Sequence, residues 1–425
     1  MSNLEDTTRA YAAAMDDADP LAGFRSRFVM LDPDLIYLDG NSLGRPPRGV
    51  ATRMQQAVET DWGADLIRGW NKGWWEAPRR IGELIAPLLG AGTGQVIVSD
   101  QTSVNLFKLA AAALALRPGR SRIITDSLNF PSDLYILQGL VRMLGGQHEI
   151  VRIGSRDNGI TPDLEALASA IDERTALVTL SHVTYKSGYL YDMRAVSDLA
   201  QRAGALMLWD LSHSAGVVPI ALDDCGVDLA IGCTYKYLNG GPGAPAFLYV
   251  RTALQPEAQS PIWGWWGEAQ PFTFGLDYQP APGVQRFLTG TAPILSVIAL
   301  EEGLAPLLEA GIERIRQKSV ALSQYAIGLS ERRLASLGFS LGSPGDPGKR
   351  GSHISLRHHD GYRINRALIE EMNVIPDFRE PDNLRLGLSP LYVSFQDVWE
   401  AMERLGRVVA ERRFEKHPLQ RLPVT

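Results

Sequence analysis

The strongest constraint on the fold of this chain is a rhythm. Over residues 95–250, short and largely apolar β-branched runs alternate with polar or glycine-rich turns and amphipathic helical stretches. The runs fall at 95–99, 122–125, 148–153, 175–180, 205–209, 229–231 and 245–250. Most lack the apolar/polar alternation of a strand with one wet face. They therefore predict strands covered on both sides, as in a mainly parallel sheet flanked by helices. The fold class is α/β, and this sheet with its helices accounts for about residues 61–295.

Beyond Thr291 the texture changes. A long helical pattern runs from Ile294 to about Leu334, and a glycine- and proline-rich stretch at 342–348 reads as a surface loop. Strands are expected at 352–357 and 383–387, with helices at 362–371 and 395–412, the pattern of a small α+β lobe. At 425 residues the chain exceeds the roughly 250–300 at which one core stops growing. Two domains follow: a large one at 61–295, and a small one formed by 1–60 with 296–425.

Composition removes several function classes. Forty-two basic against 48 acidic residues leave a net charge of -6, so no global field draws nucleic acid or anionic lipid. Two cysteines and seven histidines, without metal-ligand spacing, argue against a structural metal site. The acidic N-terminus has no signal-peptide profile, and the longest apolar run, 109–116, is far short of the ~20 residues of a membrane span. A cytoplasmic protein is the expectation. One oddity remains: seven of nine tryptophans crowd into two stretches, Trp62, Trp70, Trp74 and Trp75, then Trp263, Trp265 and Trp266.

In open parallel sheets, ligands bind beyond the carboxyl ends of the strands, so polar residues that follow strands are the candidates. Ser181 and His182 follow one strand, Asp210 and His213 another, and Thr234-Tyr235-Lys236 lie beyond a third. Alone, Asp210 reads equally as a solvated turn aspartate and Lys236 as a surface lysine. Lys236, however, precedes Asn239-Gly-Gly-Pro-Gly243, a cluster that lets backbone approach a ligand closely. Desolvation there favours the neutral, nucleophilic amine. Together the two residues suggest pyridoxal phosphate, whose pyridine nitrogen is held protonated by a carboxylate and whose aldehyde is held by a lysine. Thr102 and Ser103, where a strand turns into a helix, offer a phosphate cradle, although an ordinary helix cap looks the same locally. Phe130 opens the next such turn with Asp133 nearby; it suits stacking on a pyridine ring, and a core aromatic reads the same way.

The motifs in combination resemble kynureninase, a fold type I pyridoxal-phosphate enzyme family of tryptophan catabolism. They are Tyr37-Leu-Asp-Gly-Asn-Ser-Leu-Gly44, Leu66-Ile-Arg-Gly-Trp-Asn71, Asn129-Phe-Pro-Ser-Asp-Leu-Tyr135 and Trp209-Asp-Leu-Ser-His-Ser-Ala-Gly216. Gly232-Cys-Thr-Tyr-Lys-Tyr-Leu-Asn-Gly-Gly-Pro-Gly243, Arg350-Gly-Ser-His353, Phe378-Arg-Glu-Pro381 and Leu384-Arg-Leu-Gly-Leu-Ser-Pro-Leu-Tyr392 follow in order. The resemblance implies Lys236 as the aldehyde-binding lysine and Asp210 as the partner of the pyridine nitrogen. It places Thr102, Ser103 and Tyr235 on the phosphate, Phe130 on the ring, and Asp133, Ser181 and His213 around the cofactor. Trp265 and Thr291 also match cofactor-site positions, with some phosphate contacts coming from the other chain of a homodimer. Arg385 is implied as the bidentate partner of the substrate α-carboxylate, and Trp70, Gly290 and Thr291 as aryl-pocket residues.

The activity so implied is hydrolysis of L-kynurenine to anthranilate and L-alanine. Lys236 would remove the Cα proton. Tyr235 would act either as acid/base at the γ-carbonyl or β-carbon, or only as a phosphate ligand. Trp70 and Thr291 match the bacterial pattern, which favours kynurenine over its 3-hydroxy derivative, but an apolar pocket rejects an added hydroxyl weakly, so both would turn over. Thr102-Ser103 and Ala244 depart from common family residues without removing the phosphate hydroxyl. The nearest rival is another fold type I enzyme, such as a cysteine desulfurase or small aminotransferase; a desulfurase needs a mobile thiol, whereas Cys225 precedes a strand and Cys233 sits just before Lys236. A non-catalytic cofactor-binding protein would not need Lys236, Asp210 and Arg385 together. Trp62, Trp74, Trp75, Trp263 and Trp266 are expected to pack or to lie at a dimer interface.

Overall fold

A computed structural model describes residues 6–420; the extreme acidic start of the chain and the last residues of the expected small domain lie outside them. A seven-stranded sheet comprises β1 (Val96–Val98), β2 (Arg122–Asp126), β3 (Glu149–Ile153), β4 (Thr175–Ser181), β5 (Leu206–Asp210), β6 (Leu229–Gly232) and β7 (Phe247–Val250). In space they run β1-β7-β6-β5-β4-β2-β3. All neighbours among β2 to β6 are parallel, and β7 is antiparallel to both β6 and β1.

The absence of alternation in these strands has a direct structural counterpart. Met207 and Trp209 belong to one apolar core, whereas Leu206 and Leu208 belong to another. Successive side chains of a strand point to opposite faces, so β5 is buried on both. The second core contains Leu106, Leu109 and Ala113 of the helix Thr102–Ala115. The first takes in Val196 and Ala200 of the helix Met193–Arg202, whose start is capped by Asp192 accepting from the Ala195 amide.

A four-stranded antiparallel sheet stands beside this assembly: β8 (Ser340–Leu341), β9 (Ile354–Arg357), β10 (Asp377–Arg379) and β11 (Asn383–Leu386), in the order β10-β11-β9-β8. Near the N-terminus, Ile36–Tyr37 pairs in parallel with Val374–Ile375, and Asp39 bridges to Gly387 just past β11. This pairing carries residues 39–44 to the end of β11 and so to the large sheet's rim.

The long helix expected from Ile294 is two helices, Ile294–Ala310 and Ile312–Arg333. Gly311 separates them at φ +78°, a backbone state that glycine reaches without a Cβ penalty. No helix among the described residues is long and apolar enough to cross a membrane.

Candidate active site

The carboxyl ends of the parallel strands supply the first groups. Asp210 closes β5, in register with Ser181 of β4 and Ile231 of β6. Its Oδ1 accepts from the Ser212 amide at 2.8 Å, which turns the chain toward His213. After β6, Thr234 Oγ1 donates to the Pro245 carbonyl at 2.5 Å, and the Gly240 and Asn239 amides donate to the Thr234 and Lys236 carbonyls at 2.9 and 3.0 Å. The loop is thereby pinned around Lys236, whose Nζ lies 3.0 Å from His213 Nε2.

These residues line a cavity of about 190 Å³ together with Tyr235, Phe130 and Asp133. Thr102 and Ser103 contribute the first turn of the helix Thr102–Ala115. Gln101, at that helix's N-cap, makes no side-chain cap, so the first-turn amides keep their donors. Ser103 Oγ lies 3.0 Å from Ser132 Oγ, which also lines the cavity.

The electrostatics are those of a site built for charge. Burial, and next the Asp210 carboxylate with which it shares a hydrogen bond, push the Asp133 carboxyl well above the usual range. Burial, then Lys236, hold His213 well below the usual histidine range. That direction favours the neutral ring, whose Nε2 pairs with the Lys236 amine. His353, of the Arg350-Gly-Ser-His353 motif, is likewise depressed by burial and then by Arg385, and its ring centroid lies 5.3 Å from that of His213. The Cys233 thiol, then burial, raise the Tyr235 phenol, so it is a proton donor rather than a phenolate. Both cysteines have thiols raised by burial, and Cys233 is buried, which leaves neither as the mobile thiolate of a desulfurase.

The small sheet supplies the opposite wall. Arg385, in β11, is 1% exposed and lines the cavity. Its Nη2 pairs with Asp377 and donates to Ser42 Oγ at 3.1 Å, and its Nη1 donates to the Tyr185 carbonyl. Arg379 Nη1 donates to the other oxygen of Asp377 at 2.7 Å. The Tyr185 ring meets Phe130 edge-on at 5.3 Å, so one residue touches both the ring-stacking candidate and the carboxylate-binding one.

The arrangement fits pyridoxal 5'-phosphate. Asp133 and Asp210 form a buried carboxyl pair beside Lys236, a setting that would hold a protonated ring nitrogen. His213 Nδ1 is buried without a partner, as expected of a group waiting for a cofactor atom. The open helix N-terminus with the hydroxyls of Thr102 and Ser103 suits a phosphate. Lys236 would hold the aldehyde, Asp210 the ring nitrogen and Phe130 the ring face.

Four expected residues stand elsewhere in this chain, and a fifth lies beside the cavity. Ser181 is 3% exposed next to Asp210 but does not line the cavity. Gly290 and Thr291 line a separate cavity with Ser99 and Asp100. Trp70 and Trp265 join a single aromatic cluster: Trp70 meets Trp266 at 5.5 Å, and Trp75 stacks on Trp266 at 4.9 Å while touching Trp265 at 5.5 Å. Asn41, Ser42, Ser132, Tyr185, Ser212 and Arg379 also line the cavity, without a signal of their own in the sequence. All but Tyr185 sit inside the quoted motifs; Tyr185 had no signal beyond its place shortly after β4.

Comparison with known proteins identifies the family. Residues 315–405 match the model of the kynureninase C-terminal domain. A kynureninase of Burkholderia pseudomallei (strain 1106a) is 46% identical over 407 residues, 95% of each chain. One of Pseudomonas fluorescens is 43% identical over 419 residues, covering 97% of this chain and 98% of the relative. Among solved structures, the apo cysteine desulfurase of Thermococcus onnurineus NA1 superposes with a TM-score of 0.77 at 20% identity, covering 91% of this chain and 98% of that one. The desulfurase CsdA of Escherichia coli gives 0.76 at 19%, covering 92% and 98%. The likeness to desulfurases is one of fold, a pyridoxal-phosphate fold type I architecture, whereas the near-complete alignment at over two-fifths identity is carried by kynureninases alone among these relatives, and the chain belongs to the kynureninase family.

Proposed function

We propose that the protein hydrolyses the Cβ–Cγ bond of L-kynurenine, and of its 3-hydroxy derivative, giving anthranilate or 3-hydroxyanthranilate and L-alanine. The observation that carries this reading is one cavity joining Lys236 and Asp210 of the large sheet to Arg385 of the small one. Water adds across the bond: its hydroxyl goes to Cγ, which becomes the aryl carboxylate, and a proton goes to Cβ, which becomes the methyl of alanine. Pyridoxal 5'-phosphate, when bound, supplies the electron sink for the substrate's Cα.

The chain's residues supply the rest. Arg385, held by Asp377 and Ser42, presents its planar fork to the α-carboxylate. Lys236 takes the Cα proton, and His213 steadies the amine through its neutral Nε2. Tyr235 keeps its proton and is suited to donate it at the γ-carbonyl oxygen or Cβ. Asp210 would hold the ring nitrogen, with Asp133, His213 and Ser181 as its neighbours. Thr102, Ser103 and Tyr235 would hold the phosphate, and Phe130 would meet the ring.

Trp265 and Thr291 serve the phosphate, and Trp70, Gly290 and Thr291 the aryl pocket, of a site completed across a homodimer. This is supported by their position outside the lysine cavity and by the exposure of Trp62 and Trp263 at 54% and 65%. The two-domain division, 61–295 against 1–60 with 296–425, draws support from the separate sheets and from the pairing of Ile36–Tyr37 with Val374–Ile375. The protein works in the cytoplasm. Anthranilate fluorescence from kynurenine, with wild type beside Lys236→Ala, tests the function; sulfide from cysteine without anthranilate from kynurenine would overturn it.

A further inference from the structure

Asn41 is 0% exposed, lines the cavity, and has neither Nδ2 nor Oδ1 partnered. Buried polar side-chain atoms in folded proteins are nearly always paired, and an unmet amide that lines the same cavity as Lys236 and Arg385 is placed to meet a ligand there. The surrounding sequence makes room for it. A Cβ on Gly387 would stand 1.9 Å from Asn41 Oδ1, so the amide occupies the place that a side chain at position 387 would take.

Gly387 continues β11 through its bridge to Asp39 and lies two residues beyond Arg385. Positions two apart share a face of a strand and stand about 6–7 Å apart. The Asn41 amide and the Arg385 guanidinium are therefore neighbours on one wall. Ser42, next in the chain, accepts from Arg385 Nη2 at 3.1 Å and ties the two together. The groups suited to the cofactor come instead from the rim of the large sheet.

We propose that Asn41 is a second recognition group for the substrate's α-carboxylate, its Nδ2 donating to one of the two oxygens that the Arg385 fork engages, so that the pair selects substrates bearing a free α-carboxylate. This rests on the assignment of Arg385 to that carboxylate. An amide donor complements a carboxylate without adding charge, and the hydrogen bond it makes is of the stronger, charge-assisted kind.

The experiment uses holoenzyme of wild type, Asn41→Ala and Asn41→Ser, with cofactor absorbance confirming equal loading. The KM for L-kynurenine and the inhibition constant of L-alanine, which keeps the carboxylate and lacks the aryl ketone, each rise about tenfold or more. Binding of kynuramine, which keeps the aryl ketone and lacks the carboxylate, stays within twofold of wild type. Melting temperature does not fall, because the substitution removes unmet polar atoms. Unchanged constants for kynurenine and alanine, an equal weakening of kynuramine, or a fallen melting temperature with unchanged binding would each overturn the proposal. Asn41→Ser decides the matter should Asn41→Ala fail to fold. Alanine binding, read from cofactor absorbance, remains a test even if wild type produces no anthranilate, so failure of the functional assignment is told apart from failure of this one.

Discussion

The Nζ of Lys236 lies 3.0 Å from Nε2 of His213, whose ring is kept neutral by burial and by that same amine. The contact fixes where the lysine amine stands in the cavity. Lys236→Ala is expected to lower kcat by about 10⁴-fold, the upper range for a single acid–base group. His213→Phe, which removes the partner of the lysine and a cofactor-facing nitrogen but leaves the lysine in place, lowers it by about tenfold. Anthranilate fluorescence measures both.

Asp377 is 1% exposed and balances two guanidiniums, those of Arg385 and Arg379. Asp377→Ala leaves both cations without their carboxylate, at a cost of about 3–5 kcal/mol. Urea unfolding reads the loss. A variant that still folds shows a raised KM for kynurenine with a smaller change in kcat, because Asp377 acts through Arg385.

Asp39 sets a pH dependence. Burial first, then the nearby Asp377 carboxylate, push its carboxyl up to about 7 from 3.8. An acid whose native pKa lies above its unfolded value stabilises the fold in its protonated form, so the contribution is complete below about 3.8 and is lost as pH rises through about 7. Arg385 and Arg379, which also face it, oppose the shift without cancelling it. The melting temperature of wild type relative to Asp39→Asn therefore falls across that interval, and a flat difference between pH about 4 and about 8 would refute the assignment.

Gly44 couples the N-terminal motif to the lysine loop. Its amide donates to the Tyr235 carbonyl at 2.8 Å, and a Cβ there would stand 2.3 Å from the Lys236 carbonyl and 2.5 Å from Asn239 Oδ1. Gly44→Ala must displace backbone, with about 1–3 kcal/mol of destabilisation. Reduced cofactor retention on dialysis, followed by absorbance, is the expected companion.

Phe130 is 44% exposed in the cavity wall, so its truncation costs little core packing. Phe130→Ala is expected to weaken cofactor binding by about tenfold, in line with the roughly 0.5–1.5 kcal/mol of an aromatic contact, while the urea midpoint of the apoprotein changes little. Cofactor titration of the two apoproteins decides it.

Much of the fold was legible because the strands had no choice of side. β5 reads as buried on both faces from its composition, and Asp210, the first polar residue, marks where it meets the rim. Lys236, His213, Thr102, Ser103, Phe130 and Asp133 were found the same way and do meet in one cavity. Asn41, Ser42 and Arg379 were not singled out, because nothing local distinguishes a polar residue in a loop or short strand from one facing a ligand. Short strands such as Asp377–Arg379 were missed for a similar reason: three residues carry too little periodicity to read.

The sequence by itself determined the class of fold, the strand ends that carry chemistry and the family, since local apolar pattern and ordered motifs need no knowledge of distant contacts. Tertiary structure alone decided what stands opposite Lys236. The pairing of Ile36–Tyr37 with Val374–Ile375 and the bridge from Asp39 to Gly387 bring Asn41 and Ser42 to Arg385 across more than 300 positions of chain. It also gathered Trp70 and Trp75 of one tryptophan stretch with Trp265 and Trp266 of the other into one aromatic cluster rather than into the lysine cavity. Such placements follow from which surfaces pack against each other, and side-chain identity alone does not encode them.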